Sequence, residues 1–159
     1  MQVTAEPRTA DLAADMCALI AFMMKSAGPD VFRAIGELEL SLTQVKVLHI
    51  LDAEGDERSL KELAEAFAMS LPAMSRSVEG LHQRGLVGRR EDADDRRMKR
   101  VRITAAGRAA VARINRTRMA IADRFLQTLP AGDRRRLSLA LDPIVSRPEV
   151  AACRPRTRT

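Results

Sequence analysis

The sequence has few of the residues on which catalytic, metal-binding or disulfide-stabilised proteins depend. It contains no Trp, no Tyr, two Cys and two His. Two cysteines cannot form a disulfide framework, and no CxxC or HxxxH spacing is present for a structural zinc site. The G-x-x-x-x-G-K-[ST] and G-x-S-x-G motifs are also absent. We therefore expect no enzymatic activity, no cofactor and no metal.

Aromatic residues and long apolar runs are scarce as well. Aromatics make up 3% of the chain, whereas proteins that bind single-stranded RNA need aromatic stacking platforms. The apolar stretch from Leu12 to Met24 is interrupted by Asp15 and is too short for a bilayer, which needs about 20 residues. The N-terminus carries Glu6 and Asp11 in place of a basic targeting segment, so we expect a cytoplasmic protein.

What the sequence does have is enough length for one folded domain, together with an uneven charge. The 159 residues are 46% hydrophobic and 30% charged, which is typical of a soluble globular chain. The net charge of +6 divides into −6 for residues 1–75 and +12 for residues 76–159. This asymmetry indicates a polyanionic partner for the second half, although an unevenly charged solvated surface is the alternative.

Hydrophobic periodicity predicts helices along most of the chain. The first runs from residue 10 to about 24, and a short helical segment follows within 30–38. Ser41 or Thr43 is expected to cap the next helix, and two further helices follow Thr104 and precede Pro148. Residues 148–159 have little to bury and are expected to form a flexible tail.

Two short helices joined by a tight turn stand near the middle of the chain. Ser59 and Glu62 form a capping box before the first, Ser70 caps the second, and Gly85 ends it. The second helix has a predicted buried stripe of Leu71, Met74, Val78 and Leu81. This arrangement is typical of a helix-turn-helix.

Opposite that stripe, the second helix presents small and hydrogen-bonding residues. The predicted outward residues are Pro72, Ala73, Arg76, Gly80 and Gln83, with Ser75 on the flank. Such a face can lie deep in a major groove, where Arg76 would contact guanine and Ser75 a base or a phosphate. A plain solvent-exposed face is the alternative that the helix alone leaves open.

A period of two on both sides of an acidic turn predicts a β-hairpin after this helix. Basic residues are concentrated on the hairpin: Arg89, Arg90, Arg96, Arg97, Lys99, Arg100 and Arg102. Their repulsion costs stability unless an anion offsets it, and a hairpin tip is narrow enough to enter a minor groove. The turn residues Asp92, Asp94 and Asp95 either fix arginine rotamers by pairing or simply form the turn.

These residues resemble a known family. The runs Ser70–Val87 and Arg89–Gly107, with the preceding helix at Leu60–Ala64, are similar to the winged-helix core of MarR-family transcriptional regulators. The resemblance covers residues 41–107. It implies a mainly α fold with a small β-hairpin wing, in which 41–107 form a winged helix-turn-helix DNA-binding lobe. Residues 10–38 and 108–146 would then be dimerisation helices within a single MarR-like domain.

The resemblance also implies a function. MarR-like proteins are homodimers that bind a palindromic operator in double-stranded DNA and usually repress nearby genes. In this sequence Arg97 matches the wing-tip arginine that enters the minor groove, and Asp95 matches its supporting aspartate. Arg96 is the second choice for the tip. The positions that match major-groove contacts are Pro72, Ala73, Ser75 and Arg76.

The regulatory signal stays open at this point. MarR-like dimers often respond to phenolic or lipophilic effectors, and the candidate pocket residues are Met16, Met23, Met24 and Met119, for which core packing is the alternative. Cys17 lies where the peroxide-sensing branch has its reactive cysteine. That branch has tyrosines that this chain lacks, so we expect Cys17 to be a buried core residue. A winged-helix protein-interaction module is the remaining alternative.

Overall fold

Helices dominate the architecture, and one small antiparallel sheet accompanies them. The computed structural model describes residues 8–26, 36–54, 57–91 and 99–154. In chain order the elements are α1 (Thr9–Ser26), α2 (Leu42–Glu54), β1 (Arg58–Ser59), α3 (Leu60–Ala66), α4 (Leu71–Gln83), β2 (Val87–Glu91), β3 (Lys99–Ile103), α5 (Ala105–Thr128), α6 (Ala131–Val145) and α7 (Pro148–Ala151). The structure confirms the mainly α fold with a hairpin wing.

The hydrophobic core lies where α2, α3, α4 and the first half of α5 meet the sheet. Its largest fully buried side chains are Leu48, Leu51, Leu63, Met74, Leu81, Val47, Val78, Val87, Val101 and Val111. Complete burial of such side chains is worth about 1.5–3 kcal/mol each. The helix-turn-helix is therefore held on a well-packed scaffold.

Side-chain caps start the helices of this lobe as the sequence predicts. Glu62 N donates to Ser59 Oγ at 3.1 Å, and Ser59 N donates to Glu62 Oε2 at 2.6 Å, which completes the capping box of α3. Ser41 and Gln44 form an uncharged version of the same box at α2. The remaining caps are Ser70 for α4 and Thr104 for α5.

The wing is a three-stranded sheet with the order β1-β3-β2. Val87 pairs with Ile103 and Glu91 with Lys99 across the antiparallel hairpin. Strand β1 adds to the other side of β3, with Arg58 opposite Val101. The sequence predicts the hairpin but not β1, because two residues are too short to show a periodicity.

Helix α1 packs against α5, but α1 and α6 bury little of their surface. Phe22 of α1 and Phe125 of α5 meet edge to face, with ring centroids 6.2 Å apart and planes at 74°. Neither α1 nor α6 has a buried residue. Within the described ranges, no helix has both the length and the apolarity that crossing a bilayer requires.

Three expectations about individual residues and segments are wrong. Leu71 is 51% exposed, because it lies in the first turn of α4, beyond the edge of the core. Cys17 is exposed, because α1 as a whole buries no side chain in the single chain. Part of the expected tail, Pro148–Ala151, is the helix α7, where Pro148 suits the first turn. Most of the segment expected within 30–38 lies outside the described residues.

Candidate nucleic-acid interface

Helix α4 is buried on one side and open on the other. Met74, Val78 and Leu81 are completely buried. The predicted major-groove positions are more accessible: Pro72 and Arg76 are exposed, and Ala73 and Ser75 are partly buried. The exposed part of this face is free of bulky side chains around Arg76, so a nucleic-acid groove can approach the helix closely.

Gly80 does not belong to that open face. The side chain of Gln44 lies against it, with Nε2 donating to the Ser77 carbonyl at 3.3 Å. A Cβ added at Gly80 would lie 2.7 Å from the same nitrogen. The prediction that Gly80 faces outward is wrong, because the Gln44 side chain of α2 covers α4 at this position.

Arg89 of β2 also reaches α4. Its Nη1 donates to Glu79 Oε2 at 2.5 Å, and its Nη2 donates to the Ser75 carbonyl at 3.4 Å. The Arg89 side chain is only 14% exposed. The hydrogen bond from Arg89, with the charge of the same guanidinium, lowers the pKa of the Glu79 carboxyl. Arg89 therefore connects the wing to α4.

Two more arginines of the wing have acidic partners in the same chain. Arg90 Nε donates to Glu57 Oε2 at 2.6 Å, and this bond lowers the pKa of Glu57. Arg100 Nη1 lies 3.7 Å from Glu62 Oε2. Because the chain itself supplies these carboxylates, the argument that an external anion must offset the repulsion is weaker than the sequence indicates.

Several predicted functional residues lie outside this geometry. The wing-tip residues Asp95, Arg96 and Arg97, with the rest of the acidic turn, fall outside the described residues. The candidate effector methionines are on the open surface of the terminal helices: Met16, Met24 and Met119 are exposed, and Met23 is partly buried. Cys17 shares that surface. Their assignment to an effector pocket or a redox site stays a prediction.

His49 is a partly buried polar residue that the sequence does not mark as special. It lies on α2, and its Nε2 atom is buried without a hydrogen-bond partner. Burial and the nearby Arg118 of α5 lower its pKa, against an opposing effect of Asp52. Neutral His49 therefore sits between the winged-helix lobe and α5.

The described part of the chain offers little for catalysis or metal binding. No three His, Cys, Asp or Glu side chains within it are placed to hold a metal ion. An open cleft of about 500 Å³ at the base of the wing is lined by Arg102 and Arg108, and its carboxylate, Glu57, pairs with Arg90. The cleft is a basic surface rather than an acid–base pair.

Known proteins share both the sequence pattern and the fold. The MarR_2 model, which describes the MarR family, matches residues 38–98. The structure of YusO from Bacillus subtilis has a TM-score of 0.69 at 19% identity, covering 87% of this chain and 98% of that one. The transcriptional regulator Tm0710 from Thermotoga maritima has a TM-score of 0.68 at 20% identity, covering 84% and 92%.

A third similar structure is a mutant of MepR from S. aureus bound to an oligodeoxyribonucleotide. It has a TM-score of 0.65 at 20% identity and covers 88% of this chain and 98% of that one. At such identities these structures establish the fold, and the MarR_2 match establishes the sequence pattern of the helix-turn-helix and of the wing as far as residue 98. Residues 38–98 therefore match the MarR family in sequence, and the described chain has the winged helix-turn-helix fold of these structures.

Proposed function

We propose that the protein is a transcriptional regulator that binds a palindromic operator in double-stranded DNA as a homodimer and represses the adjacent genes. The observation that carries this proposal is the open face of α4, where exposed Arg76 stands among small residues. Arginine donates two parallel hydrogen bonds to guanine O6 and N7 more often than any other side chain does. The opposite face of α4 is fixed in the core.

The wing provides the second proposed contact. Arg97, or Arg96 in its place, would enter the minor groove beside the half-site, with Asp95 holding the arginine. The narrow minor groove has a negative potential that attracts such side chains. The net charge of +12 on residues 76–159 supports the same partner, because phosphate contacts supply much of the affinity of DNA-binding proteins.

The terminal helices support a dimer. Large apolar side chains are exposed on α1 and α6: Leu12, Met16, Leu19, Ile20, Phe22, Met24, Leu139, Leu141 and Ile144. Monomeric soluble proteins rarely expose so many together. Pairing two copies through these helices would cover them and would give two α4 helices for two half-sites of an operator.

Selection from a randomised duplex pool tests sequence-specific binding directly. The enriched duplex is then titrated by fluorescence anisotropy, against a scrambled duplex and at two salt concentrations. We expect at least a thousandfold preference and a steep loss of affinity with salt. Equal, weak binding to both duplexes would overturn the proposal and favour a protein-interaction module.

Two variants assign the contacts. Arg76→Ala should weaken binding to the selected duplex by about 1–3 kcal/mol and relax the base preference at one position per half-site. Arg97→Ala should weaken binding more than tenfold and leave dimerisation intact. Arg147→Ala is the matched control, because Arg147 is an exposed arginine at the start of α7, outside the helices proposed for dimerisation. If Arg76→Ala selects the same sequences as the wild type, α4 does not read bases.

A further inference from the structure

Two side chains from different elements donate hydrogen bonds to backbone carbonyls of helix α4. Gln44 Nε2 of α2 donates to the Ser77 carbonyl, and Arg89 Nη2 of β2 donates to the Ser75 carbonyl. Arg89 Nη1 also binds the Glu79 carboxylate. Both carbonyls lie close to Arg76 in the sequence, so these contacts act on the part of α4 that faces outward.

The state of Arg89 shows that this contact is specific rather than a surface ion pair. The side chain is 14% exposed, and its Nε atom is buried without a hydrogen-bond partner. Burying part of a guanidinium is costly unless the remaining donors are well paired. The two terminal nitrogens of the rigid guanidinium meet a carboxylate and a carbonyl on one helix, which a lysine cannot reproduce.

Arg89 joins the two elements that are proposed to contact DNA, the wing and α4. Arg89 lies in β2, paired with Val101 of β3, and β2 leads into the hairpin turn that carries the proposed minor-groove arginines. The same side chain holds α4, which carries the proposed major-groove arginine. Movement of the wing relative to α4 would therefore break the bonds to Glu79 and Ser75.

We propose that Arg89 and Glu79 are positioning residues that lock α4 to the wing, so that the two DNA-contacting elements dock as one rigid unit. This inference rests on the proposed DNA-binding function. Its effect is on specificity: the correct operator fits both elements at once, whereas non-specific DNA needs only charge. In the proposed complex, neither residue contacts a base.

Glu79→Gln provides a test in which electrostatics and positioning predict opposite changes in affinity for the selected duplex. Removing a negative charge beside a DNA-binding surface should strengthen binding to every duplex. If Glu79 positions α4, the variant instead loses affinity for the selected duplex while its affinity for the scrambled duplex is unchanged or higher. We expect the ratio of specific to non-specific affinity to fall about five- to twentyfold.

Arg89→Lys and the double variant complete the experiment. Arg89→Lys keeps the positive charge but loses the two terminal nitrogens of the guanidinium. The ratio of specific to non-specific affinity should therefore fall as much as it does in Glu79→Gln. The two losses should not add in the double variant, because both break one contact. Glu65→Gln is the control, since Glu65 is an exposed carboxylate of α3, 3.9 Å from Lys61, and should leave the ratio unchanged.

The outcomes separate the two proposals. A wild-type protein without sequence preference would overturn the DNA-binding function and this inference with it. A wild-type protein with its preference intact, together with an unchanged ratio in Glu79→Gln, would overturn the positioning role alone. Thermal unfolding accompanies each titration, and Glu79→Gln keeps the test valid if Arg89→Lys unfolds, because the Glu79 side chain is 45% exposed and outside the core.

Discussion

Gly107, in the first turn of α5, lies directly against the backbone of Leu86, between α4 and β2. A Cβ at this position would overlap the backbone carbonyl of Leu86 and lie 2.7 Å from Ile103 Cγ1. The Leu86 carbonyl cannot move aside easily, because it accepts hydrogen bonds from Thr104 N at 3.1 Å and Thr104 Oγ1 at 3.0 Å. Only glycine therefore lets α5 begin at the base of the wing.

We predict that Gly107→Ala lowers the free energy of unfolding by about 1–3 kcal/mol through overpacking against fixed backbone. Gly132→Ala is the matched control in α6, where an added Cβ has no atom within 4 Å, and it should be neutral or stabilising by up to about 1 kcal/mol. Urea unfolding followed by circular dichroism measures both. Equal stabilities for the two variants would mean that the Leu86 carbonyl yields freely.

For individual residues, the sequence predicts the solvent exposure of a side chain better than it predicts which residues that side chain contacts. Helical spacing alone places Arg76 opposite the buried stripe, and the structure agrees. The same spacing misplaces Gly80, because it does not reveal that Gln44, 36 residues earlier, crosses the helix there. It also assigns Arg89 to a basic surface, whereas the fold turns its side chain back to Glu79. Contacts between elements depend on tertiary packing, which local periodicity does not encode.

At the scale of elements, the two capping boxes of the lobe differ in charge. Glu62 completes the box of α3 and also lies 3.7 Å from Arg100 and 3.9 Å from Arg58. Its pKa is lowered, first by the hydrogen bond from the Ser59 backbone and then by that from the Ser59 side chain, with smaller contributions from the two arginines. Gln44 has the same place in the box of α2 without a charge.

We predict that Glu62→Gln lowers stability by up to about 1 kcal/mol at pH 7, because a carboxylate at a helix N-terminus interacts favourably with the helix dipole. The folded protein holds the pKa of Glu62 below its unfolded value of 4.5. The contribution is therefore fully present above pH 4.5 and is lost as the pH falls through the folded pKa. Urea unfolding of both proteins from pH 7 to pH 3.5 should show their difference shrinking.

Ser41→Ala serves as the comparison for this pH dependence. It removes the cap of the uncharged box and should cost about 0.5–2 kcal/mol, by an amount that does not change over the same pH range. A difference between wild type and Glu62→Gln that stays constant down to pH 3.5 would show that the charge of Glu62 contributes nothing.

The elements themselves were largely predictable, since their signals are local. Caps at Ser59, Ser70 and Thr104 start three helices where the sequence indicates, and Gly85 has the positive φ of 68° expected of a residue that ends a helix. Strand β1 was missed because it exists only through its pairing with β3. Helix α7 was missed because four residues give no periodicity.

For the whole molecule, the distribution of burial is uneven. The buried residues of the described chain lie in the winged-helix lobe and the first half of α5, whereas α1 and α6 have none. The sequence predicts apolar stripes on the terminal helices, but a stripe does not reveal whether its partner lies in the same chain. In the proposed homodimer a second chain covers them.

We predict that Ile20→Glu combined with Leu139→Glu dissociates the dimer. Ile20 is 53% exposed and Leu139 67% exposed in the single chain, so a charge at either position costs little in an isolated protomer but is unfavourable in an apolar interface. Sedimentation velocity at micromolar concentration should show a monomer with unchanged helix content. Affinity for the selected palindromic duplex should fall at least about a hundredfold, because each protomer then binds one half-site alone.

Leu71→Gln is the control for this loss of apolar surface. Leu71 is 51% exposed, close to Ile20 at 53%, but it lies in the first turn of α4, so the variant should sediment as the wild type does. The decisive comparison is on a duplex that carries a single half-site, where the double variant and the wild type should bind with similar affinity if dimerisation acts only by joining two lobes. A double variant that stays dimeric would place the interface elsewhere and leave the exposed faces of α1 and α6 for another partner.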